Sequence, residues 1–319
     1  MKVNEMNICF SISADYVFQM ITTMVSVLEN NQDSDINFYV LSTGLPAKDK
    51  ELIGKLTEHY PNFSVRYIDV DAALFQGFNF TINYITVETY FRYIIADWLP
   101  DIDKILYLDA DLVVNKNIGD LYNADIRDFY IGGVADAYIH GLRHKTDINL
   151  SSEDLYVNAG VLLFNLKKIR DEHMVEQLFF NQNKYDSIIK FQDQDIINLT
   201  FRGKIKELDG RYNVTTVDFD KKRAWLKNAA IIHYTGALKP WNFSYTKPQR
   251  KIWRRYFRIA NKLLDNKIAA LFPLSGTKEL LLSVGKIFYN KKTHSQNVTR
   301  IFVLGICVLK SETSISWEA

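Results

Sequence analysis

The first 70 residues alternate between two hydrophobic periods, and that alternation narrows the folds open to the chain. Residues 7–12, 37–42 and 64–70 are short apolar or alternating runs of strand character. Between them, Val17, Met20, Ile21, Met24, Val25 and Leu28 recur at helical spacing. Pro46 then opens a second helix with Leu52, Ile53 and Leu56 on one face. Strand, helix, strand, helix, strand predicts parallel strands joined by right-handed crossovers. The expected class is α/β, a mostly parallel central sheet flanked by helices. With 319 residues, 47% of them hydrophobic, the chain can bury such a core.

A further apolar run, residues 105–108, climbs into Asp109-Ala110-Asp111. Strand side chains alternate, so both carboxylates share one side if the extended conformation persists. Their repulsion is relieved by a divalent cation, and ligands of open α/β sheets bind beyond the carboxyl ends of the strands. Taken alone, the pair reads as ordinary turn residues, and the metal reading gains weight only from the pieces that follow. The loop after the first strand, Ser13-Ala14-Asp15-Tyr16, lacks the glycine fingerprint of a dinucleotide site. Ser13 or Asp15 can cap the following helix; alternatively Asp15 can meet a base or ribose and Tyr16 can stack on a base.

The rest of the chain adds isolated pieces. Arg92 sits in an expected helix, 87–98, among apolar residues; it needs an anionic partner, either a structural carboxylate or a substrate phosphate. A strand at 130–134 leads into Asp136. Residues 137–156, with His140, Arg143, His144 and Lys145, are polar and aperiodic, either a lid or a plain connection. Asn158-Ala159-Gly160 enters a strand at 157–166, and a helix is expected over 167–181. Asp193 and Gln194 fall in the first turn of another helix, where an acid suits the dipole; this does not account for Gln194 or Asn198. Strands at 205–208 and 229–234 follow. His233 closes the latter, either as a metal ligand or as a satisfied core residue, and Lys239 before Pro240 is held extended.

Charge and cysteine content bound the setting. Residues 1–220 hold 20 Lys and Arg against 33 Asp and Glu, whereas residues 221–319 hold 19 against 4. A basic end on an acidic body points to an anionic partner for that end. In residues 250–268 cations interleave with Trp253, Tyr256 and Phe257 at helical spacing, which suits a membrane surface or a helix packed on the domain with a solvated basic face. The concentrated charge favours the membrane. The apolar stretch 301–309 is too short to span one, and no run reaches the ~20 residues a crossing needs. Two cysteines, Cys9 and Cys307, fit a reducing compartment, and the polar start is no signal peptide.

Four stretches in order, Tyr107-Leu108-Asp109-Ala110-Asp111, Asn158-Ala159-Gly160-Val161, Asp193-Gln194-Asp195-Ile196 and His233-Tyr234-Thr235-Gly236 with Lys239-Pro240-Trp241, resemble glycosyltransferase family 8. These are retaining nucleotide-sugar transferases of the GT-A fold, among them bacterial galactosyl- and glucosyltransferases of lipopolysaccharide and lipooligosaccharide. The resemblance implies a GT-A catalytic domain over residues 1–245, leaving 246–319 as a basic helical C-terminal extension. It implies a hexosyltransferase that moves galactose or glucose from a UDP-sugar to a glycolipid, oligosaccharide or glycoprotein. It further implies that Asp109, Asp111 and His233 bind Mn²⁺, with Mg²⁺ as the alternative, and that this ion holds the UDP diphosphate. Ser11, Ile12, Asp15, Tyr16 and Ala110 would hold the nucleotide, Tyr16 by stacking on uracil. Arg92, Asp136, Asn158 and Ala159 would line the donor sugar pocket, Asp193 and Gln194 would lie beside the anomeric carbon, and Gly236 and Lys239 would contact the diphosphate. Family members often carry a second Asp where this chain has Ser13-Ala14. The expected setting is the cytoplasm, on the inner membrane face, with no nucleic acid partner. Two other readings of the Asp pair are a metal-dependent nucleotidyltransferase or phosphohydrolase, and a non-catalytic membrane-docked nucleotide-binding protein.

Overall fold

A computed structural model describes residues 4–80, 82, 86–139, 143–221, 227–242, 244–267, 298–303 and 306–312, with Asn4, 219–221 and the last two segments as backbone alone. His140 and most of the expected C-terminal extension lie outside the described residues.

The chain builds a seven-stranded sheet first. Strands β1 (Asn4–Ser11), β2 (Ser34–Ser42) and β3 (Phe63–Asp69) run parallel in the spatial order β3-β2-β1, as the alternating periods predict. Strand β4 (Lys104–Leu108) pairs parallel with the other edge of β1. The sheet continues with β7 (Val157–Asn165), β6 (Ile131–Ala135) and β8 (Ile205–Glu207), while β5 (Leu112–Val114) leaves it; β7 runs antiparallel to both β4 and β6, and β8 closes the sheet beside β6.

Period-two alternation divides the core between the two faces. Ile8 and Phe10, Phe38 and Val40, and Leu106 and Leu108 point into one apolar cluster; Cys9, Tyr39 and Leu41, and Ile105 and Tyr107 point into the other. The first face is covered by helix α1 (Val17–Asn30), whose residues 17–28 are all buried. Neither Ser13 nor Asp15 caps α1. A 3₁₀ turn, Ala14–Tyr16, carries the chain into it instead.

Two expected helices are broken. Residues 87–98 form a 3₁₀ segment, Val87–Tyr93, followed by a single α-turn, Ile95–Trp98. Residues 167–181 divide into Leu166–Asp171 and Met174–Tyr185 at His173, whose φ of 53° ends the first helix in the left-handed region. The polar stretch 137–156 is largely pinned: Ile139, Ile148, Leu150 and Tyr156 form a small core of their own, and His144 and Lys145 are buried. Lys145 donates to the carbonyls of Ser152 and Asp154, and His144 is hydrogen-bonded to Asp195. Polarity here marks buried groups with specific partners rather than a free loop.

A second, three-stranded sheet was not legible from periodicity. It joins β5 to β10 (Ile231–His233) and β10 to β9 (Val214–Thr215). The chain therefore leaves one sheet at Leu108 and enters another at Leu112, with the Asp pair in between.

The basic helix Arg250–Leu263 packs its apolar face on α1 and β5, so the packing arrangement is realised for that face. Trp253, Tyr256, Ala260 and Leu264 are buried in the same core as β1. Trp253 stacks on Phe257 with centroids 5.0 Å apart and meets Trp241 at 5.5 Å. The Tyr256 hydroxyl accepts from Asn30 Nδ2 (2.9 Å) and donates to Asn115 Oδ1 (3.1 Å). Lys251, Arg254, Arg255, Arg258 and Lys262 remain exposed. The backbone of Val298–Val303 pairs antiparallel with that of Ile306–Glu312. Among the described residues, no helix is long and apolar enough to cross a membrane.

Replacing Trp253 with Ala should lower stability by about 3–5 kcal/mol, the range for emptying an aromatic core site. Urea titration of the full chain measures it; a change below about 1 kcal/mol would show that this helix is not part of the core.

Candidate functional site

Beyond the carboxyl ends of β1 and β4 opens a cavity of about 490 Å³. Most residues singled out in the sequence line it: Ser11, Ile12, Tyr16, Arg92, Asp109, Ala110, Asp111, Asp136, Asn158, Ala159, Asp193, Gln194, His233, Gly236 and Lys239. Asp15 is exposed and is not among the lining residues; Ser13 lines the cavity in the same loop.

The carboxylate pair is brought together differently from a continuing strand. β4 ends at Leu108, and Asp109–Asp111 form a turn between the two sheets. The Asp109 amide donates to the Gly160 carbonyl on β7 (2.9 Å), and the Tyr234 amide donates to the Asp111 carbonyl (3.0 Å). The pairing of His233 with Leu112 sets the imidazole beside them. His233 Nε2 lies 3.1 Å from Asp111 Oδ1 and 3.7 Å from Asp109 Oδ2. One ligand atom from each of the three lies within 4.8 Å of the others.

The donor set fits a divalent cation. Asp111 Oδ1 is buried with no hydrogen-bond partner, and an orphaned carboxylate oxygen is costly unless a cation takes it. Gly160 leaves the necessary room: a Cβ there would fall 2.6 Å from Asp109 Oδ2 and 2.9 Å from His233 Nδ1, and closer still to His233 Cε1. Burial pushes the Asp111 carboxyl up, but Lys239 and His233 outweigh it and hold the group well below the usual carboxylate range. Lys239 Nζ donates to Asp111 Oδ2 and to the Tyr234 carbonyl (2.9 Å).

Arg92, 5% exposed, settles between carboxylates. Its guanidinium meets Asp109 Oδ1 and Asp193 Oδ2, both at 3.1 Å, donates to the Ala159 carbonyl (2.5 Å), and lies over the Tyr107 ring at 4.3 Å. The anionic partner is thus structural while the side chain still borders the cavity. Asp193 also accepts from the Thr89 hydroxyl (2.8 Å). Burial pushes its carboxyl up to about 6, with Arg92 and Thr89 pulling back.

The remaining polar floor is a closed network. Gln194 Oε1 accepts from Asn158 Nδ2 (3.1 Å) and the Ala159 amide (3.0 Å), and its Nε2 donates to Asp136 Oδ2 (3.2 Å) and the Tyr156 hydroxyl (3.3 Å). Asn198 clamps both backbone groups of Val157, which explains a polar residue on the buried face of its helix. Sequence reasoning missed Gly160 as a space-maker, Thr89 and Asn213. Only Asn213, a polar residue in the run Tyr-Asn-Val, carried a local signal.

With that geometry established, the comparisons are specific. The profile of Glycosyl transferase family 8 matches residues 7–244. A Haemophilus influenzae protein named as a glycosyltransferase is 32% identical over 267 residues, covering 82% of this chain and 80% of its own. The lipopolysaccharide 1,3-galactosyltransferase of Salmonella typhimurium is 26% identical over 92% of this chain and 89% of its own. The crystal structure of the galactosyltransferase LgtC with donor and acceptor sugar analogues superimposes with a TM-score of 0.73 at 28% identity, covering 79% of this chain and 95% of that one.

Gly160→Ala should abolish Mn²⁺ binding while leaving the far-UV circular dichroism unchanged, because the new methyl collides with ligands rather than with the core. Calorimetry with MnCl₂ measures it; undiminished binding would place the ion elsewhere.

Proposed function

The chain belongs to glycosyl transferase family 8, and from that premise we propose that it moves a hexose, galactose or glucose, from a UDP-sugar to a glycolipid or surface-glycan acceptor with retention at the anomeric carbon. The observation that carries the reading is the convergence of Asp109, Asp111 and His233 on one point in a cavity floored by Asp136, Asn158 and Gln194. The names of relatives, a lipopolysaccharide 1,2-glucosyltransferase of Escherichia coli and the galactosyltransferase above, support a hexose donor and a glycolipid acceptor. Among the described residues the acidic cluster gains no further carboxylate, which favours diphosphate anchoring over two-metal phosphoryl transfer.

Asp109, Asp111 and His233 would hold Mn²⁺, or Mg²⁺, since two carboxylate oxygens and an imidazole suit either a hard or a borderline ion. When bound, the ion supplies positive charge against the leaving diphosphate. Ser11, Ile12, Ser13 and Tyr16 would seat the uridine, with Tyr16 braced edge-on by Trp241 at 6.1 Å. Gly236, with φ of 84°, turns the chain so that Lys239 reaches the cavity. Lys239 would shift from Asp111 toward the diphosphate, where its charge counts more in the transition state than in the ground state. Asp136, Asn158 and Gln194, already locked to one another, form a preorganised floor for the sugar. Gln194 is weakly nucleophilic and suits the face of an oxocarbenium-like sugar. The departing phosphate oxygen would take the proton of the attacking acceptor hydroxyl on the same face, which preserves configuration.

The exposed cations of Arg250–Leu263 would hold the protein on an anionic membrane at the inner face of the cytoplasmic membrane. The first turn of this helix carries no acid, against the preference of the dipole, so local helix stability does not account for the charge.

UDP should bind only with Mn²⁺ present, and Asp111→Ala should lose that binding; calorimetry with and without the metal tests it. In a panel of UDP-sugars, slow hydrolysis should release a sugar of unchanged anomeric configuration, read by proton NMR. Metal-independent UDP binding would remove this assignment. Separately, the full chain should sediment with anionic vesicles, and Arg254→Glu, Arg255→Glu and Arg258→Glu together should release it, since each cation near such a surface is worth about 1 kcal/mol. Retained UDP binding in that triple variant would show that the cleft itself is intact.

A further inference from the structure

Resting on the metal reading above, we infer that Asn213 is the positioning residue that determines which nitrogen of His233 is free to ligate a cation. It lies between the 3₁₀ turn Gly210–Tyr212 and β9, is 2% exposed, and is not among the residues lining the cavity.

The direction of every hydrogen bond leading to it is determined from a group that can only donate. The Gly160 backbone amide has no lone pair to offer. Asn158 Oδ1 therefore accepts from it, at 3.1 Å, and Asn158 Nδ2 is turned the opposite way. There that nitrogen donates to Asp136 Oδ2 at 3.1 Å. Asn158 Oδ1 also accepts from Asn213 Nδ2 at 2.9 Å. Asn213 must then present its own oxygen to His233 Nδ1, at 3.0 Å. An amide oxygen only accepts, so Nδ1 carries the hydrogen.

A neutral imidazole with hydrogen on Nδ1 has its lone pair on Nε2. That nitrogen faces Asp111 Oδ1 and Asp109 Oδ2, so three acceptors meet with no proton among them. Asp111 Oδ1, buried without a hydrogen-bond partner, is one of the three. The opposite tautomer would set two lone pairs against each other at Asn213 and aim an N–H into the carboxylates, filling the cation's place with a proton. Asn213 thus reserves the site for a metal, and the same run of amides ties it to Asp136 and Gln194 on the sugar floor. Second partners of metal-bound histidines act in this way, and their loss weakens metal binding about 10–100-fold.

Two full-length variants separate this role from bulk packing. Asn213→Leu keeps the volume but offers Nδ1 no acceptor. Asn213→Asp keeps the acceptor while opposing the Asn158 oxygen. Both should melt below the unaltered protein. Mn²⁺ affinity, read from the electron paramagnetic resonance of free MnCl₂ without nucleotide, should fall about 10–100-fold in the Leu variant and stay close to the unaltered value in the Asp variant. Asn213→Ala, which leaves a gap instead of a new apolar contact, should repeat the Leu result and serves if the Leu chain does not fold. Undiminished affinity in the Leu and Ala variants, or equal losses with and without the acceptor, overturns the inference. Absence of Mn²⁺ binding by the unaltered protein overturns the metal reading beneath it instead.

Discussion

Mutual repulsion between Asp109 and Asp111 is the constraint around which the fold is arranged. The two residues stand where the chain crosses from a seven-stranded to a three-stranded sheet, and each is tied by a backbone bond to a different one. Neither can retreat without tearing a ladder. The Asp111 carboxyl is held low by Lys239 despite its burial. Like charges held at this separation are stable only with compensation, and the compensation arrives from elsewhere in sequence: Lys239 beside Asp111 and Arg92 beside Asp109. The site is a charge balance among distant segments, with a donor set that fits a cation.

What could be read from the residues was what repeats locally. The parallel β1–β3 opening follows from two alternating periods, and Asp109-Ala110-Asp111 declares itself at the end of an apolar run. The second sheet did not: the apolar run at 229–234 reads as a strand, but its partner Val214–Thr215 is too short for any period to register, so nothing local shows what it pairs with. Gly160 reads as one more strand glycine until the imidazole is seen where its side chain would be. His144 and Lys145 look like solvated loop residues because composition reports polarity, not whether a partner waits inside. Arg92 was legible as a residue in need of an anion, yet the identity of that anion depends on contacts 17 and 101 positions away, with Asp109 and Asp193.

The basic helix illustrates how one amphipathic pattern can serve two surfaces. Its periodic aromatic face completes the core over α1, and its cations stay in water. Apolar spacing alone cannot distinguish a protein core from a lipid surface, since both accept the same stripe. The packing of Trp253 and Tyr256 resolves the apolar half, leaving electrostatics as the outward character of the helix.

That helix also touches the Tyr16 end of the cavity through a file of rings, Trp253 to Trp241 and Trp241 to both Tyr16 and Phe18. Close-packed aromatics transmit displacement with little give. An enzyme resting on its cationic side would therefore carry its cleft at one fixed inclination to the support. Reach toward an acceptor would then have to come from the length and suppleness of the glycan, making the stance of the protein a ruler for which chain ends it can extend.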